Sequence, residues 1–434
     1  MKTKVLVVLA GAVLGMGSTA LAQTNLDRER AYAAELNADA AARSSNLYGT
    51  GFKLSEGDAT LNISGYTQIR YNANFRDDKS VGDQDDFTHG FNIPFTKLKF
   101  QGSVIEPGLT YEIVGAFQGL GDSSTDSGDF NLENAFGQYR WDSGVYVRFG
   151  QFKLPILREE LIDNSRQLFV DRSVTNSVFQ QDWSQGIELG YEGEQFRILG
   201  DFSDGWRTAN TDFNSGAEAD WALTGRVEFQ ALSTDWNRWT DFTSFRNSDA
   251  GLLIGAAAHY QQSGETGDGI DNANPSDVDL LLYTVDAAYE ANGWNLYGAF
   301  IGANLDDDQF NDSADHFGIV FQGGLFVTDQ VEIIARWDTT FVDDKAASAN
   351  FREDTISFLT GGVNYYLAAN SHAAKFTAQL IWAISETADL RTTSPVYGVG
   401  GGSSGGSLPN TQTTILGDRE EGELALALQF QLGF

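Results

Sequence analysis

The chain has 434 residues, no cysteine, 20% charged residues and a formal net charge of −32 at pH 7. The lack of cysteine excludes a disulfide-stabilised fold, and the acidic balance without a basic patch argues against nucleic-acid binding. A soluble protein of this length would usually contain several domains, so the pattern along the chain has to indicate the class of fold.

The first 22 residues have the pattern of a secretory signal. Lys2 and Lys4 precede an apolar run over 5–16, and Ala20 and Ala22 form a small-residue cleavage site. The apolar run is shorter than the roughly 20 residues that a membrane-spanning helix needs. We therefore expect residues 1–22 to be a signal peptide that is cleaved on export.

The segment 23–50 has a different composition from the rest of the chain. It is rich in Ala, Arg and Glu, with Leu26, Ala33, Leu36 and Ala40 at heptad-like intervals. This pattern predicts a helix of a few turns. Two roles remain open for it: a periplasmic linker, or a weak coiled coil that assembles protomers.

From residue 56 onward the hydrophobic period changes to two. Between Leu61 and Phe75 every odd position is apolar or small, and the even positions are mainly polar. Alternate side chains of a strand point to opposite faces, so this stretch is a strand with one apolar face and one polar face. It is far longer than the roughly five or six residues usual for strands of soluble proteins.

About sixteen such segments follow one another, and an even number is what a closed antiparallel barrel requires. They lie near residues 60, 97, 110, 134, 145, 186, 197, 221, 253, 281, 295, 317, 331, 356, 375 and 424. Aromatic residues recur near the segment ends, as in the girdles of membrane barrels; they are Trp141, Trp294, Trp337, Tyr365, Tyr366 and Trp382. The predicted fold is all-β: a transmembrane antiparallel β-barrel over 56–434.

The last segment alternates six apolar residues with polar or small ones and ends on Phe434. An exposed apolar edge strand would promote aggregation in a soluble protein, whereas in a barrel it pairs with the first strand and the edge disappears. A terminal aromatic residue also resembles the signature by which the barrel-assembly machinery recognises its substrates. We therefore expect the bacterial outer membrane as the location, with lipid and lipopolysaccharide around the barrel.

The long connections between segments are polar and acidic, and the short ones are turn-like. The long ones, at 121–129, 263–279, 306–315 and 398–407, are expected to be extracellular loops, while Asn292-Gly293 and 327–329 are expected to be periplasmic turns. The acidic loops are either simply solvated or bridged by divalent cations to lipopolysaccharide or a surface layer.

The most specific motif is Val147-Arg-Phe-Gly-Gln-Phe-Lys-Leu-Pro155, at a strand end before an irregular stretch reaching Gln181. Together with Gln185-Gly-Ile-Glu-Leu189 and Thr360-Gly-Gly-Val-Asn-Tyr-Tyr-Leu367, it resembles the phosphate-selective porin O and P family. The resemblance covers most of the chain in layout. It implies a sixteen-stranded porin, a homotrimer, and a loop after the motif that folds into the lumen.

Two sets of basic residues are candidates for the pore. Those in or beside the loop, which could attract oxyanions at a constriction by fork-like hydrogen bonding, are Arg148, Lys153, Arg158, Arg166 and Arg172. Those that alternation places on the lumen wall are Arg70, Lys97, Lys99, Arg226 and Arg336. The loop also holds Glu159, Glu160, Asp163 and Asp171, so its arginines either line the pore or pair with carboxylates as a cross-link to the wall. Acidic residues that also point inward, at 112, 188, 228, 332 and 338, favour a porin without a firm preference for phosphate.

The predicted function is passive diffusion of small polar or anionic solutes through a water-filled channel, with no cofactor and no metal. The alternative is a structural barrel that tethers the envelope or a surface layer and whose pore is incidental. An enzyme is not expected. An outer-membrane phospholipase would need a His and a Ser paired on the lipid-facing wall, and the four histidines, His89, His259, His316 and His372, are scattered along the chain.

Overall fold

The structure, a computed structural model, describes residues 51–77, 86–117, 130–213, 215, 218–262, 278–307, 312–343, 354–388 and 414–434. The predicted signal peptide, the segment 23–50 and most of the acidic loop residues lie outside the described residues and remain predictions. The described strands are β1 (Phe52–Glu56), β2 (Ala59–Phe75), β3 (Phe87–Asn92), β4 (Thr96–Val104), β5 (Glu106–Phe117), β6 (Phe130–Arg140), β7 (Val145–Lys153), β8 (Trp183–Glu192), β9 (Phe196–Ser203), β10 (Trp221–Ala231), β11 (Gly251–Gln262), β12 (Val278–Ala291), β13 (Trp294–Asp307), β14 (Asp312–Phe326), β15 (Val331–Phe341), β16 (Thr355–Tyr366), β17 (Ala374–Ala383) and β18 (Leu424–Gly433).

These strands form one closed antiparallel barrel with sixteen spans. β3 and β4 both pair with β2 and together make one interrupted span, while β1 forms a hairpin with the start of β2. β18 pairs with β2 and closes the ring, with Leu428 opposite Tyr71. Phe434 extends this pairing, because its backbone N–H donates to Gly65 at 2.9 Å and its carbonyl accepts from Gly65 at 3.2 Å. The predicted strand count and the closure by the last strand are confirmed.

Alternation along the strands separates an outer apolar face from an inner polar face. In β10, Leu223 and Val227 are exposed on the outside, whereas Thr224, Arg226 and Glu228 are buried inside. In β15, Ile333 and Trp337 are exposed, whereas Glu332, Arg336 and Asp338 are buried. The apolar face therefore points to lipid, as membrane barrels require.

The connections differ between the two ends of the barrel. Most connections at one end are tight turns. The turn between β12 and β13, for example, consists of Asn292 and Gly293, which both have a positive φ (23° and 89°). Two-residue hairpin turns of this type require positive φ angles. We call this the short-turn end, and it also carries the C-terminus. The connections at the opposite, long-loop end are longer, and the longest of those wholly within the described residues runs over 154–182.

The segment 154–182 folds into the lumen. It contains the short helices Arg158–Leu161 and Val174–Phe179 and a 3₁₀ turn at Asn164–Arg166. Among the described residues, no helix has the length and hydropathy needed to cross a bilayer. The helix Val174–Phe179 lies against β14 and β15, and Gly318 of β14 permits this approach, since a Cβ there would lie 2.6 Å from Thr175 and 2.9 Å from Phe179. The resemblance correctly implied an inward loop.

A second inward segment, residues 232–250, enters from the short-turn end. Its Trp239 and Phe242 pack with Ile162, Leu168 and Phe169 of the long loop in one buried apolar cluster. A second cluster joins the long loop to inward apolar residues of β12, β13, β16, β17 and β18. The two segments therefore fill much of the lumen beside β10–β18, and an open cavity remains beside β2 and β4–β8.

Candidate functional site

The open cavity has a volume of about 1010 Å³. Its charged lining comes from the strands β4–β7 and from both inward segments. The basic residues at its surface are Lys97, Lys99, Arg148, Lys153, Arg166 and Arg172, and the acidic ones are Glu112, Glu133, Asp163 and Asp241. All six basic residues belong to the two sets of pore candidates that the sequence indicated, and Arg166 among them lies in the 3₁₀ turn of the loop.

Three basic residues on the open side of the cavity form ion pairs in which the cation is more exposed to water than its carboxylate. Lys99 pairs with Glu112 at 2.6 Å and is 37% exposed, against 17% for the carboxylate. Arg148 pairs with Glu188 at 3.1 Å, with exposed fractions of 23% and 2%. Arg166 lies 3.4 Å from Asp241, with fractions of 42% and 15%. Lys97 and Glu133, 2.7 Å apart, are the exception, because both are buried to about the same extent.

Lys153 and Arg172 hold the same carboxylate at the back of the cavity. Both are paired with Glu160, which is almost fully buried. Burial alone would raise the pKa of Glu160, but the charges of Arg172 and Lys153 outweigh it and hold that pKa below its usual range. Glu160 therefore stays ionised and ties the start of the loop to its later part.

The wall arginines point inward as alternation predicts, but the long loop covers them. Arg70 makes two hydrogen bonds to Asp171, at 2.8 and 2.9 Å. Arg226 donates to the carbonyl of Ile156 at 2.9 Å, and Arg336 to the carbonyl of Asp171 at 3.0 Å. These three side chains, from β2, β10 and β15, hold the loop against the wall rather than lining the cavity.

Two of the loop arginines are also buried. Arg172 donates to the carbonyls of Glu159 and Ile162, at 3.1 and 2.9 Å, and so cross-links the loop to itself. Arg158 does not line the cavity; its guanidinium lies over the ring of Trp239 (5.6 Å to the centroid). Of the two possibilities that the sequence left open, pairing with a loop carboxylate describes Arg172, which is bound to Glu160. Arg166 lies near Asp241 and is 42% exposed to the pore, whereas Arg158 does neither and packs against an aromatic ring.

The glycine of the motif has a specific backbone role. Gly150 has a φ of +134°, and a Cβ there would lie 2.2 Å from the carbonyl oxygen of Ala135 on β6. Only glycine tolerates this conformation and this approach. The backbone is thus distorted just before Lys153, at the point where β7 leads into the loop.

Asp241 connects both inward segments at the short-turn end of the cavity. It accepts from Arg166 and lies 3.3 Å from His372 of the turn after β16. Burial lowers the pKa of His372 below its usual range, so this ring is neutral at pH 7. Burial would raise the pKa of Asp241, but the nearby ring of His372 and the charge of Arg166 lower it overall, so Asp241 stays ionised.

Several cavity residues were not predicted from the sequence. Trp183, Phe136 and the segment 232–250 carried no predicted role, although the segment's two tryptophans, Trp236 and Trp239, mark it as more than a turn. Trp183 opens β8, and its indole N–H donates to Asn134 at 2.7 Å. Trp183 shares the odd-numbered positions of the outward residues of β8, yet its side chain lines the cavity. Alternation alone therefore assigns it to the lipid-facing side.

The barrel is similar in fold to solved structures of bacterial outer-membrane proteins. The anion-selective porin from Comamonas acidovorans is 12% identical with a TM-score of 0.55, and the alignment covers 87% of this chain and 100% of that one. The trimer form of OmpT from Vibrio cholerae is 15% identical with a TM-score of 0.53, covering 87% and 99%. OmpF of Salmonella typhi, in complex with daunomycin, is 10% identical with a TM-score of 0.54, covering 88% and 100%. At these identities the likeness establishes the fold.

A search of curated protein sequences finds no significant match. The family model for phosphate-selective porin O and P, however, matches residues 63–394, which span most of the barrel from β2 onward. This range contains the motif before the long loop, the loop itself and every charged residue of the cavity. The chain therefore belongs to the phosphate-selective porin O and P family, and it is an outer-membrane channel for the diffusion of small solutes.

Proposed function

We propose that this porin passes small anions, phosphate among them, in preference to cations. The observation that carries the proposal is the orientation of the cavity ion pairs: Lys99, Arg148 and Arg166 are more exposed than their carboxylate partners. A solute in the cavity therefore meets N–H donors first, and such donors bind oxyanions by charge-assisted hydrogen bonds. Because each cation keeps a carboxylate nearby, the expected preference is modest.

The names of relatives agree with this proposal. The family is described as phosphate-selective, and the Comamonas acidovorans porin is called anion-selective. At 12% identity, that porin shows a shared fold and not a shared selectivity. The proposed anion preference therefore rests on the cavity of this chain.

The remaining parts of the proposal concern assembly and processing. We infer that the signal peptide is cleaved after Ala22 and that the barrel-assembly machinery recognises Phe434. We also infer that lipid and lipopolysaccharide surround the barrel. We also infer a homotrimer, consistent with the trimer form of the Vibrio cholerae relative. The protein acts by diffusion and not by catalysis.

Planar bilayers under a salt gradient test the anion preference. We expect stepwise openings. We also expect a reversal potential whose sign shows that anions are more permeant than cations. A cation-side reversal potential would contradict the proposal, and a barrel that never opens would instead support the structural, envelope-tethering role.

Replacing Lys99 and Arg148 together with glutamine is expected to move the reversal potential to neutral or cation preference. The reason is that Glu112, which lines the cavity, and Glu188, the partner of Arg148, would then lose their paired cations. The matched control is Arg140→Gln, since Arg140 also pairs with a glutamate (3.1 Å) but does not line the cavity. Equal shifts in the double variant and the control would show that the cavity pairs do not set selectivity.

A further inference from the structure

One sector of the cavity combines aromatic rings with cations. We call it the aromatic–basic wall; its residues are Lys97, Lys99, Phe136, Arg148, Lys153 and Trp183. We propose that it binds planar organic anions, aromatic carboxylates in particular, more tightly than anions of the same charge that lack a ring. This inference rests on the proposed anion preference and specifies which anions the cavity retains.

The indole of Trp183 is held in place at the cavity surface. Its N–H donates to the side-chain oxygen of Asn134 at 2.7 Å, and the amide of Asn134 donates to Glu112 at 2.6 Å. Glu112 in turn pairs with Lys99. The side chain is only partly buried, so a fixed apolar surface is available to a solute without the entropy cost of ordering it.

Cations lie beside both rings of the wall. The ammonium nitrogen of Lys153 lies 4.3 Å from the centroid of Trp183, and that of Lys97 lies 5.5 Å from it. The guanidinium carbon of Arg148 lies 4.5 Å from the centroid of Phe136. A solute that carries a carboxylate and an aromatic ring a few ångströms apart matches this arrangement, because the carboxylate can pair with a cation while its ring packs against an aromatic side chain.

A purely aqueous role does not explain these rings. The lumen of a barrel that passes only hydrated ions is expected to be polar, and a partly exposed indole gains little from contact with water. Inorganic phosphate and acetate can use the cations of the wall but not its rings. An aromatic contact is therefore expected to strengthen binding about two- to tenfold.

Block of the chloride current by benzoate and by acetate tests the inference on the unmodified channel. Both probes carry one negative charge, and only benzoate has a ring. We expect benzoate to block half of the current at a concentration about two- to tenfold lower than acetate. Equal blocking concentrations would overturn the inference, as would equal block by benzyl alcohol, which has the ring without the charge.

The variant Trp183→Leu locates the effect. It should raise the blocking concentration of benzoate towards that of acetate and leave acetate block unchanged. Trp337→Leu is the matched control, because Trp337 is 39% exposed on the outer face of β15. Equal weakening of both probes in Trp183→Leu would show a distorted pore and would overturn the role of the ring.

The reversal potential separates this inference from the proposed function. A channel with anion preference but no benzoate advantage retains the proposed function and refutes the inference. A channel without anion preference refutes the proposed function, and the inference falls with it.

Discussion

Replacing Arg226 with methionine is expected to lower the free energy of unfolding by about 3–5 kcal/mol. Arg226 is fully buried and lies 2.8 Å from both Glu228 and Asp286. Without it, Asp286 would lose its paired cation in a site that water does not reach, and Glu228 would keep only Arg197. The carbonyl of Ile156 would also lose its donor, so the start of the long loop should move more and the single-channel current should become noisier.

Urea unfolding of the refolded barrel in detergent, followed by its change in electrophoretic migration, measures the first effect. Arg197→Met is the matched control, because Arg197 pairs with the same Glu228 but is 25% exposed. An ion pair whose cation reaches the solvent contributes about 1 kcal/mol or less. Adding Glu228→Gln and Asp286→Asn to Arg226→Met should recover part of the loss. Equal losses in Arg226→Met and Arg197→Met would refute the assigned difference.

Replacing Phe179 with alanine is expected to cost about 3–5 kcal/mol through the cavity it leaves and to raise the single-channel conductance. Phe179 is fully buried at the end of the loop helix, in the apolar cluster that seats the loop on the wall. Thr175 of the same helix is hydrogen-bonded to Asp338 at 3.0 Å, so the helix should loosen without leaving the lumen.

Urea unfolding and bilayer conductance together test this second expectation. Phe149→Ala is the control, because Phe149 is 72% exposed on the outer face and its loss removes contact with lipid and not with the loop. We expect the control to keep the normal conductance. An unchanged conductance in Phe179→Ala would mean that the loop position does not depend on this cluster.

Much of the fold could be predicted from the sequence because the strand signal is local. Alternate residues of a strand must face opposite solvents, so sixteen runs of period two predicted sixteen spans. The terminal alternation up to Phe434 predicted the closing strand, and Arg226, Glu228 and Arg336 were correctly placed inside. Each of these predictions needs only neighbouring residues.

The candidate site was predictable only in part. Alternation correctly turned Lys97 and Lys99 inward, and the motif correctly preceded the inward loop. The same reasoning could not distinguish Arg166, which reaches the water, from Arg158, which is buried against Trp239. Both lie in one loop, and their difference comes from a segment about 80 residues further along the chain.

The sequence by itself determined the class of fold, the number of spans and which side chains point into the lumen. These features depend on the two-residue alternation within each strand. Only the tertiary structure decided what an inward side chain meets. The long loop covers Arg70, Arg226 and Arg336, the segment 232–250 fills the space behind it, and Trp183 is held at the cavity by Asn134. These contacts join residues distant in sequence, and their energies depend on burial and partners that no local pattern records.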